Sequence, residues 1–403
     1  MSIVKLENSI LKGEVDAPPS KSAAHRALIC SYLAEGGRVE GIINSADMRA
    51  TLGALKALKN GDRVIDCIES GSTLRFIIPI AAALGKNVCF TGSGRLPERP
   101  IGEYLSLFES KGVCCKSNGF LPLEISGKLE AGRFELRGDI SSQYVTGLLF
   151  ALPLLNGNSE IVLTTPLQSK PYVDMTVKVL SDFGIEIEER ENGYNVKGNQ
   201  KYIARDYKVE GDWSQAAFFL AAGAICGDVK VKNLNMNSSQ GDKRIAEILK
   251  RFGADIEIGN DFVRSKKSEL KACEIDAKDI PDMVPALSVI ASRAKGTTII
   301  KNIQRLRIKE SDRVESIVSN LKKAGIKASS TEDSIIIEGS AAFGAEFIGF
   351  NDHRIVMAFS VLSLVAEGAS EISDAESINK SYPTFFDDYN SLGGRADVVS
   401  DRK

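Results

Sequence analysis

Seven basic residues, Lys21, Arg26, Arg75, Arg99, Arg313, Arg354 and Lys380, stand at or beside places where the sequence predicts a helix to begin. A helix start offers free backbone N–H groups and the positive end of the macrodipole, so cations gathered there suit a small anion. Pro18-Pro19-Ser20-Lys21-Ser22 sets a loop that opens a helix, and Lys21 and Arg26, five positions apart, share one ligand only if it sits at the helix end. Gly71, in Ser70-Gly71-Ser72, lets a ligand approach the backbone, and Arg99 lies in a loop stiffened by Pro97 and Pro100. Ser141-Ser142-Gln143 and Ser169 add neutral donors that suit a hydroxylated, phosphorylated substrate. Asp282, directly after Pro281 at the head of an apolar helix, and Glu310, inside the charged run 305–313, supply carboxylates; with Lys21 they are the acid and base candidates. Each stretch also fits a plainer reading. Ser20, Ser70, Ser141 and Asp282 are ordinary helix caps by type, and a run such as 305–313 is commonly a solvated face.

The elements that must position these groups repeat. Nearly apolar helices with a polar start and a glycine exit are predicted over 20–36, 70–85, 140–157, 212–227, 282–296 and 351–368. Amphipathic helices ending near glycine are predicted over 48–60, 101–111, 172–183, 242–252, 310–324 and 384–392, with short β-type runs between. Six such pairs in 403 residues predict an α/β protein of two similar domains with three repeats each. One domain is expected over 14–211. The other is expected over 212–403, completed by residues 1–13, whose strand over 3–11 would join it, with crossovers near 12–16 and 209–213. A cleft between such domains would gather the basic helix starts around a polyanionic substrate pair and exclude water on closure.

Composition narrows the partners. With 51 basic and 53 acidic residues the chain has no general pull toward nucleic acid or an anionic membrane, so any anion site is local. The longest apolar run, 76–84, is too short to span a bilayer, and charge appears too early for a signal peptide. Seven cysteines without a C-x-x-C pair, mostly in apolar runs, read as reduced core thiols of a cytoplasmic protein. Two histidines and no Cys/His cluster leave no basis for a metal site, and neither a Walker A motif nor a dinucleotide fingerprint is present. No cofactor is expected, and a monomer is.

Several of these stretches, in order from about residue 12 to 383, resemble the 5-enolpyruvylshikimate-3-phosphate synthase family of enolpyruvyl transferases. They are Pro19-Ser20-Lys21-Ser22 with Arg26, Leu96-Pro97-Glu98-Arg99-Pro100, Ser141-Ser142-Gln143, Ser169-Lys170-Pro171-Tyr172, Glu210-Gly211-Asp212, Arg307-Ile308-Lys309-Glu310-Ser311-Asp312-Arg313 and Asn351-Asp352-His353-Arg354. The resemblance implies an inside-out α/β barrel fold of six βαβαββ-type units. It also implies transfer of the enolpyruvyl group of phosphoenolpyruvate to the 5-hydroxyl of shikimate 3-phosphate, without a metal. By that likeness Lys21, Ser22, Arg26, Ser141, Ser142, Gln143, Ser169, Asp282, Arg305 and Lys309 would hold shikimate 3-phosphate. Lys21, Gly71, Arg99, Gln143, Arg313, Arg354 and Lys380 would hold phosphoenolpyruvate, with Asp282, Glu310 and Lys21 catalytic. Glu69 and Phe76 stand where the family usually has Asn and often has Pro, and Arg305 where some members have Asn. The alternatives are the sister enzyme acting on UDP-N-acetylglucosamine, whose reactive cysteine is matched here by Gly94, and a non-catalytic anion-binding protein of the same fold.

Overall fold

The computed structural model describes residues 2–400; residues 1 and 401–403, at the two ends of the predicted composite domain, lie outside them. The chain forms two compact units, one of Ser20–Val209 and one of Met1–Pro19 with Glu210–Lys403.

In the unit of 20–209, α1 (Lys21–Leu33), α3 (Gly71–Ala83) and α5 (Ser142–Ala151) are the apolar helices, and α2 (Ala46–Asn60), α4 (Gly102–Glu109) and α6 (Lys170–Asp182) the amphipathic ones. Serine side chains start four of them. Ser20, Ser70 and Ser141, at predicted polar starts, each accept a backbone N–H from the first turn, and so does Ser45, which lies ahead of the start at 48 predicted for its helix. Twelve of the thirteen residues of α3 are buried, and α3 packs on α5. Gly147 of α5 makes that approach possible, because a Cβ there would strike the Arg75 carbonyl and the Tyr104 hydroxyl.

The other unit follows the same plan with α7 (Trp213–Cys226), α9 (Val284–Arg293) and α11 (His353–Ser363) apolar, and α8 (Ile245–Arg251), α10 (Arg313–Lys323) and α12 (Phe385–Ser391) outside them. All fourteen residues of α7 are buried, and α7, α9 and α11 pack mutually.

Each four-stranded sheet has one parallel pair followed by two antiparallel neighbours. In the first unit these are Val64–Asp66, Val88–Thr91, Leu123–Gly127, Val113–Lys116 and Arg133–Leu136, Ser159–Leu163, Gly193–Val196, Ile187–Arg190. The third sheet there is only a parallel pair, Val39–Glu40 with Tyr207–Lys208. The sixfold βαβαββ pattern is therefore complete in five repeats and shortened in one, where α2 runs through its left-handed cap Gly61 directly into strand Val64–Asp66.

Of the predicted strand over 3–11 only the first part forms, and a second strand begins just beyond its end. Ser2–Leu6 lies between Ser370–Ser373 and Ala396–Ser400, antiparallel to both, which ties the chain's two ends together. Lys12–Asp16, expected as a crossover, is itself a strand parallel to Asp228–Lys232. The passage between units comes after it, where Asp212 N–H donates to the Pro18 carbonyl at 2.8 Å. Among the described residues no helix is long and apolar enough to cross a membrane.

Candidate functional site

In the unit of 20–209 the predicted groups sit at the starts of α1, α3 and α5. Ser20 caps α1, and the Lys21 ammonium, mostly buried, pairs with Asp47 at 2.7 Å. Asp47 has no counterpart among the sequence candidates; a carboxylate in the first turn of α2 reads as dipole complementation until the fold brings it to Lys21. Arg26 is set deeper than the predicted anion contact requires. Its Nε donates to Thr176 Oγ1 at 2.8 Å, and its two Nη atoms donate to the carbonyls of Ser22 and Tyr172 at 2.6 and 2.8 Å. Burial pushes its pKa down to about 10, and the guanidinium stacks over Phe76, 5.3 Å from the ring centroid. Phe76, a departure from the family pattern, thus completes the arginine's apolar wall.

Behind these groups runs a buried chain of polar contacts. His25 Nδ1 meets Thr51 Oγ1 at 2.7 Å, Thr51 meets Thr73 Oγ1 at 2.7 Å, and Thr73 donates to Ser70 Oγ, the cap of α3, at 2.8 Å. It links the start of α1 to the start of α3 through α2. Burial, with Lys21 and Arg26 nearby, holds His25 well below its ordinary pKa, so the ring is neutral at pH 7. An unfolded histidine titrates near 6.5, so below that pH the unfolded chain takes up a proton that the folded one refuses. Stability is expected to fall on acidification by up to about 1.4 kcal/mol per pH unit from this group alone. Urea unfolding at pH 7.5 and 5.5 checks this; His25→Asn should flatten the dependence.

Gly71 opens α3 with Arg99 against it: a Cβ at this position would collide with the guanidinium. Arg99 is buried while its loop partner Arg95 is half-buried and pairs with Glu98 at 3.7 Å, so one of the two proline-flanked arginines faces inward. The Glu69 carboxylate lies against Gly94. Gln143, capped by Ser141 at 3.3 Å, has its amide fixed, since Oε1 accepts from Arg75 at 3.1 Å and Nε2 donates to Ser72 at 3.0 Å. Arg75 also donates to the Pro100 carbonyl at 2.9 Å. It positions Gln143 and the 99–100 loop, a role its charge alone did not suggest. Ser142 is buried in the first turn of α5. Ser169 is buried just ahead of α6 in a left-handed conformation, φ 57°, which costs a non-glycine residue about 1–2 kcal/mol and is retained at the helix start.

In the other unit the charged starts converge on one carboxylate. Asp282 does not cap α9; it lies in the turn Pro281–Met283 that precedes it. Its Oδ1 accepts from Arg313 Nη1 at 2.9 Å and faces Lys309 Nζ at 3.7 Å, and its Oδ2 accepts from Arg354 Nη2 at 3.1 Å. Burial would raise its pKa, but Arg354, Lys309 and Arg313 together hold it well below the usual carboxylate range. Burial pushes Lys309 down to about 8, against the opposing pull of Asp282.

Arg313 is 1% exposed and joins three carboxylates. Besides Asp282 it donates to Glu310 Oε2 at 2.7 Å and to Asp352 Oδ2 at 2.8 Å, and although burial opposes its charge, Asp352, Glu310 and Asp282 raise its pKa. Glu310 precedes α10, whose cap is Asp312 accepting from Val314 and Glu315. Asp352 caps α11 by accepting from the Arg354 N–H at 3.0 Å, so one buried carboxylate holds the Arg313 guanidinium and the Arg354 backbone. The run 305–313 is thus partly internal and not simply a solvated face. Lys380 Nζ donates to the Asn351 carbonyl at 2.6 Å; Phe350 and Asn351, both at positive φ (55° and 49°), turn that carbonyl. Arg305 donates to the Lys278 carbonyl at 2.7 Å, holding it beside the loop after strand Glu274–Asp276.

Comparison with known proteins gives this arrangement a family. The model of EPSP synthase (3-phosphoshikimate 1-carboxyvinyltransferase) matches residues 7–64 and 59–389. The chain belongs to the EPSP synthase family. Relatives named 3-phosphoshikimate 1-carboxyvinyltransferase include those of Clostridium novyi, 43% identical with 99% of each chain covered, and Clostridium acetobutylicum, 44% identical with 98% of each covered. Among solved structures, an EPSP synthase of Acinetobacter baumannii superposes with a TM-score of 0.83 at 27% identity, covering 99% of this chain and 100% of that one. The enolpyruvyl transferase NikO of Streptomyces tendae, 14% identical, shares the fold at a TM-score of 0.79, covering 99% and 98%.

The cysteines of this EPSP synthase family member are less uniformly internal than their apolar surroundings suggest. Cys30, Cys67 and Cys226 are buried, Cys89, Cys115 and Cys273 half-buried, and Cys114 exposed.

Proposed function

We propose that the protein transfers the enolpyruvyl group of phosphoenolpyruvate to the 5-hydroxyl of shikimate 3-phosphate, releasing phosphate, as its EPSP synthase family membership implies. The observation that carries this is the convergence of Arg313, Arg354 and Lys309 on Asp282, with Glu310 on the same arginine. Such a cluster offers an anion two guanidiniums while keeping two carboxylates within reach of its reacting carbons.

Shikimate 3-phosphate would be held by Lys21, Ser22, Ser141, Ser142, Gln143, Ser169, Asp282 and Lys309. Arg26 would support that set from behind, through Ser22, and Arg305 from the Lys278 loop. Phosphoenolpyruvate would be held by Lys21, Gly71, Arg99, Gln143, Arg313, Arg354 and Lys380. Asp282 takes the 5-hydroxyl proton as that oxygen attacks the enol carbon, and Glu310, with Lys21 as partner, protonates the methylene carbon to give a tetrahedral intermediate. Glu310 then removes a methyl proton as the C–O bond to phosphate breaks, and the cations stabilise the departing charge.

A carboxylate held by three cations is a weak base. Phosphoenolpyruvate carries its own carboxylate and phosphate, and when these take Arg313 and Arg354, Asp282 loses the charges that keep it ionised and gains basicity. Substrate binding then switches the base on.

Phosphate release from phosphoenolpyruvate should require shikimate 3-phosphate and should not occur with UDP-N-acetylglucosamine. Release with the second acceptor alone would transfer the assignment to the sister enzyme, and release with neither would overturn it. The contact between Gly71 and Arg99 adds a specific expectation: Gly71→Ala displaces the guanidinium and should raise KM for phosphoenolpyruvate about ten-fold or more, with a smaller effect on KM for shikimate 3-phosphate. Steady-state kinetics in each substrate separates the two.

A further inference from the structure

The first turn of α7 carries two buried polar residues, Ser214 and Gln215, in a helix otherwise made of apolar side chains and glycine. Each reaches a different part of the cation cluster. Ser214 Oγ accepts from Arg354 Nη1, the same nitrogen that donates to the Asp282 carbonyl at 3.1 Å, while Arg354 Nη2 goes to the Asp282 carboxylate. The guanidinium plane is thus fixed from two elements, α7 and the turn before α9. Gln215 Nε2 donates to Ser381 Oγ at 3.1 Å, immediately after Lys380. Its backbone N–H is taken by the cap Asp212 at 3.0 Å, so the side chain projects from a fixed point.

The remaining acceptor, Gln215 Oε1, is buried with no hydrogen-bond partner among the described residues. An unmet buried acceptor costs about 1–3 kcal/mol, which an apolar side chain of similar size would avoid. The amide contributes position at the expense of stability.

Resting on the reading above, we propose that Ser214 and Gln215 are positioning residues for phosphoenolpyruvate: Ser214 sets the plane of Arg354, and Gln215 holds the turn that carries Lys380. Neither touches the reacting atoms. Their effect is on the geometry of two cations that meet the same anion, which places their cost in recognition of that substrate and leaves the acceptor side untouched.

The test uses the full chain and four variants, Ser214→Ala, Ser214→Thr, Gln215→Leu and the double variant Ser214→Ala/Gln215→Leu, with phosphate release followed against each substrate. Ser214→Ala and Gln215→Leu are expected to raise KM for phosphoenolpyruvate about ten-fold, with kcat within about three-fold and KM for shikimate 3-phosphate unchanged. Ser214→Thr, which keeps the hydroxyl, should restore most of the affinity, and the double variant should lose more than either single one. An unchanged KM for phosphoenolpyruvate, or equal losses toward both substrates with no rescue by threonine, overturns the positioning role. Should Gln215→Leu raise thermal stability while weakening phosphoenolpyruvate, the trade is confirmed directly. A wild-type chain that releases no phosphate with either acceptor overturns the assignment of function itself, an outcome distinct from an active wild type whose variants behave like it.

Discussion

Asp282→Asn is expected to lower kcat by roughly 100- to 10,000-fold, the usual span for removing a general base, while KM for phosphoenolpyruvate moves by no more than about three-fold. The asymmetry follows from the partners of this side chain. Asp282 occupies Arg313 and Arg354, so a neutral amide there leaves both guanidiniums more available to an incoming anion. Arg313 keeps Glu310 and Asp352, so the cluster does not collapse. Steady-state kinetics with a separate measurement of phosphoenolpyruvate binding checks the split. Equal losses in turnover and binding would remove Asp282 from the base position and leave it a structural partner of the arginines.

Arg313→Met should act mainly on stability. It takes the guanidinium from Asp352, fully buried, leaving it the Ser311 hydroxyl and the Arg354 N–H, and removes the same guanidinium from Asp282 and Glu310. Removing one partner from a buried ionic group costs about 3–5 kcal/mol, here felt by three carboxylates at once. For a unit of this size that corresponds to a fall in melting temperature on the order of 10 °C. The gap between wild type and variant should narrow as pH falls, because acid discharges the carboxylates that have lost this guanidinium. In the wild type the low pKa of Asp282 works the other way: its stabilisation is present above the unfolded carboxylate pKa and is lost as pH falls toward the folded value. Calorimetry at pH 7.5 and 5 tests the narrowing of the gap, and wild-type calorimetry carried down to pH 3 tests the sign for Asp282. A variant as stable as wild type at pH 7.5 would mean that the Ser311 hydroxyl and the Arg354 N–H suffice for Asp352.

The helix starts were legible because capping is local. Ser20, Ser70, Ser141, Asp212 and Asp352 each bond to an N–H two or three residues ahead, and glycine exits such as Gly61 need only a left-handed backbone; Ser45 and Asp312 cap in the same way but lie two or three residues from the predicted starts of their helices. What the sequence concealed depends on partners far along the chain. Ser2–Leu6 finds its neighbours near residues 370 and 400, so nothing within its own run marks where the strand stops. The shortened first repeat is visible only once the other five reveal the rule. At the site, Arg26 and Arg75 could be identified as cations near helix starts, but that Arg26 turns inward to Thr176 and Arg75 to Gln143 and Pro100 is set by α6 and α5. Ser214 and Gln215 carried a weak signal, two polar residues opening an apolar helix, which reads as capping until Arg354 and Ser381 are brought beside them.

In the proposed addition–elimination Glu310 first gives a proton to the methylene carbon and later takes one back. Running the reaction of phosphoenolpyruvate with shikimate 3-phosphate in deuterium oxide and weighing the product tests it in one measurement. The predicted result is a carboxyvinyl product carrying deuterium in its methylene group, because the transient methyl holds protium and deuterium together before one is removed. A carboxyvinyl product free of deuterium would contradict that route, and no transfer to the acceptor at all would contradict the function.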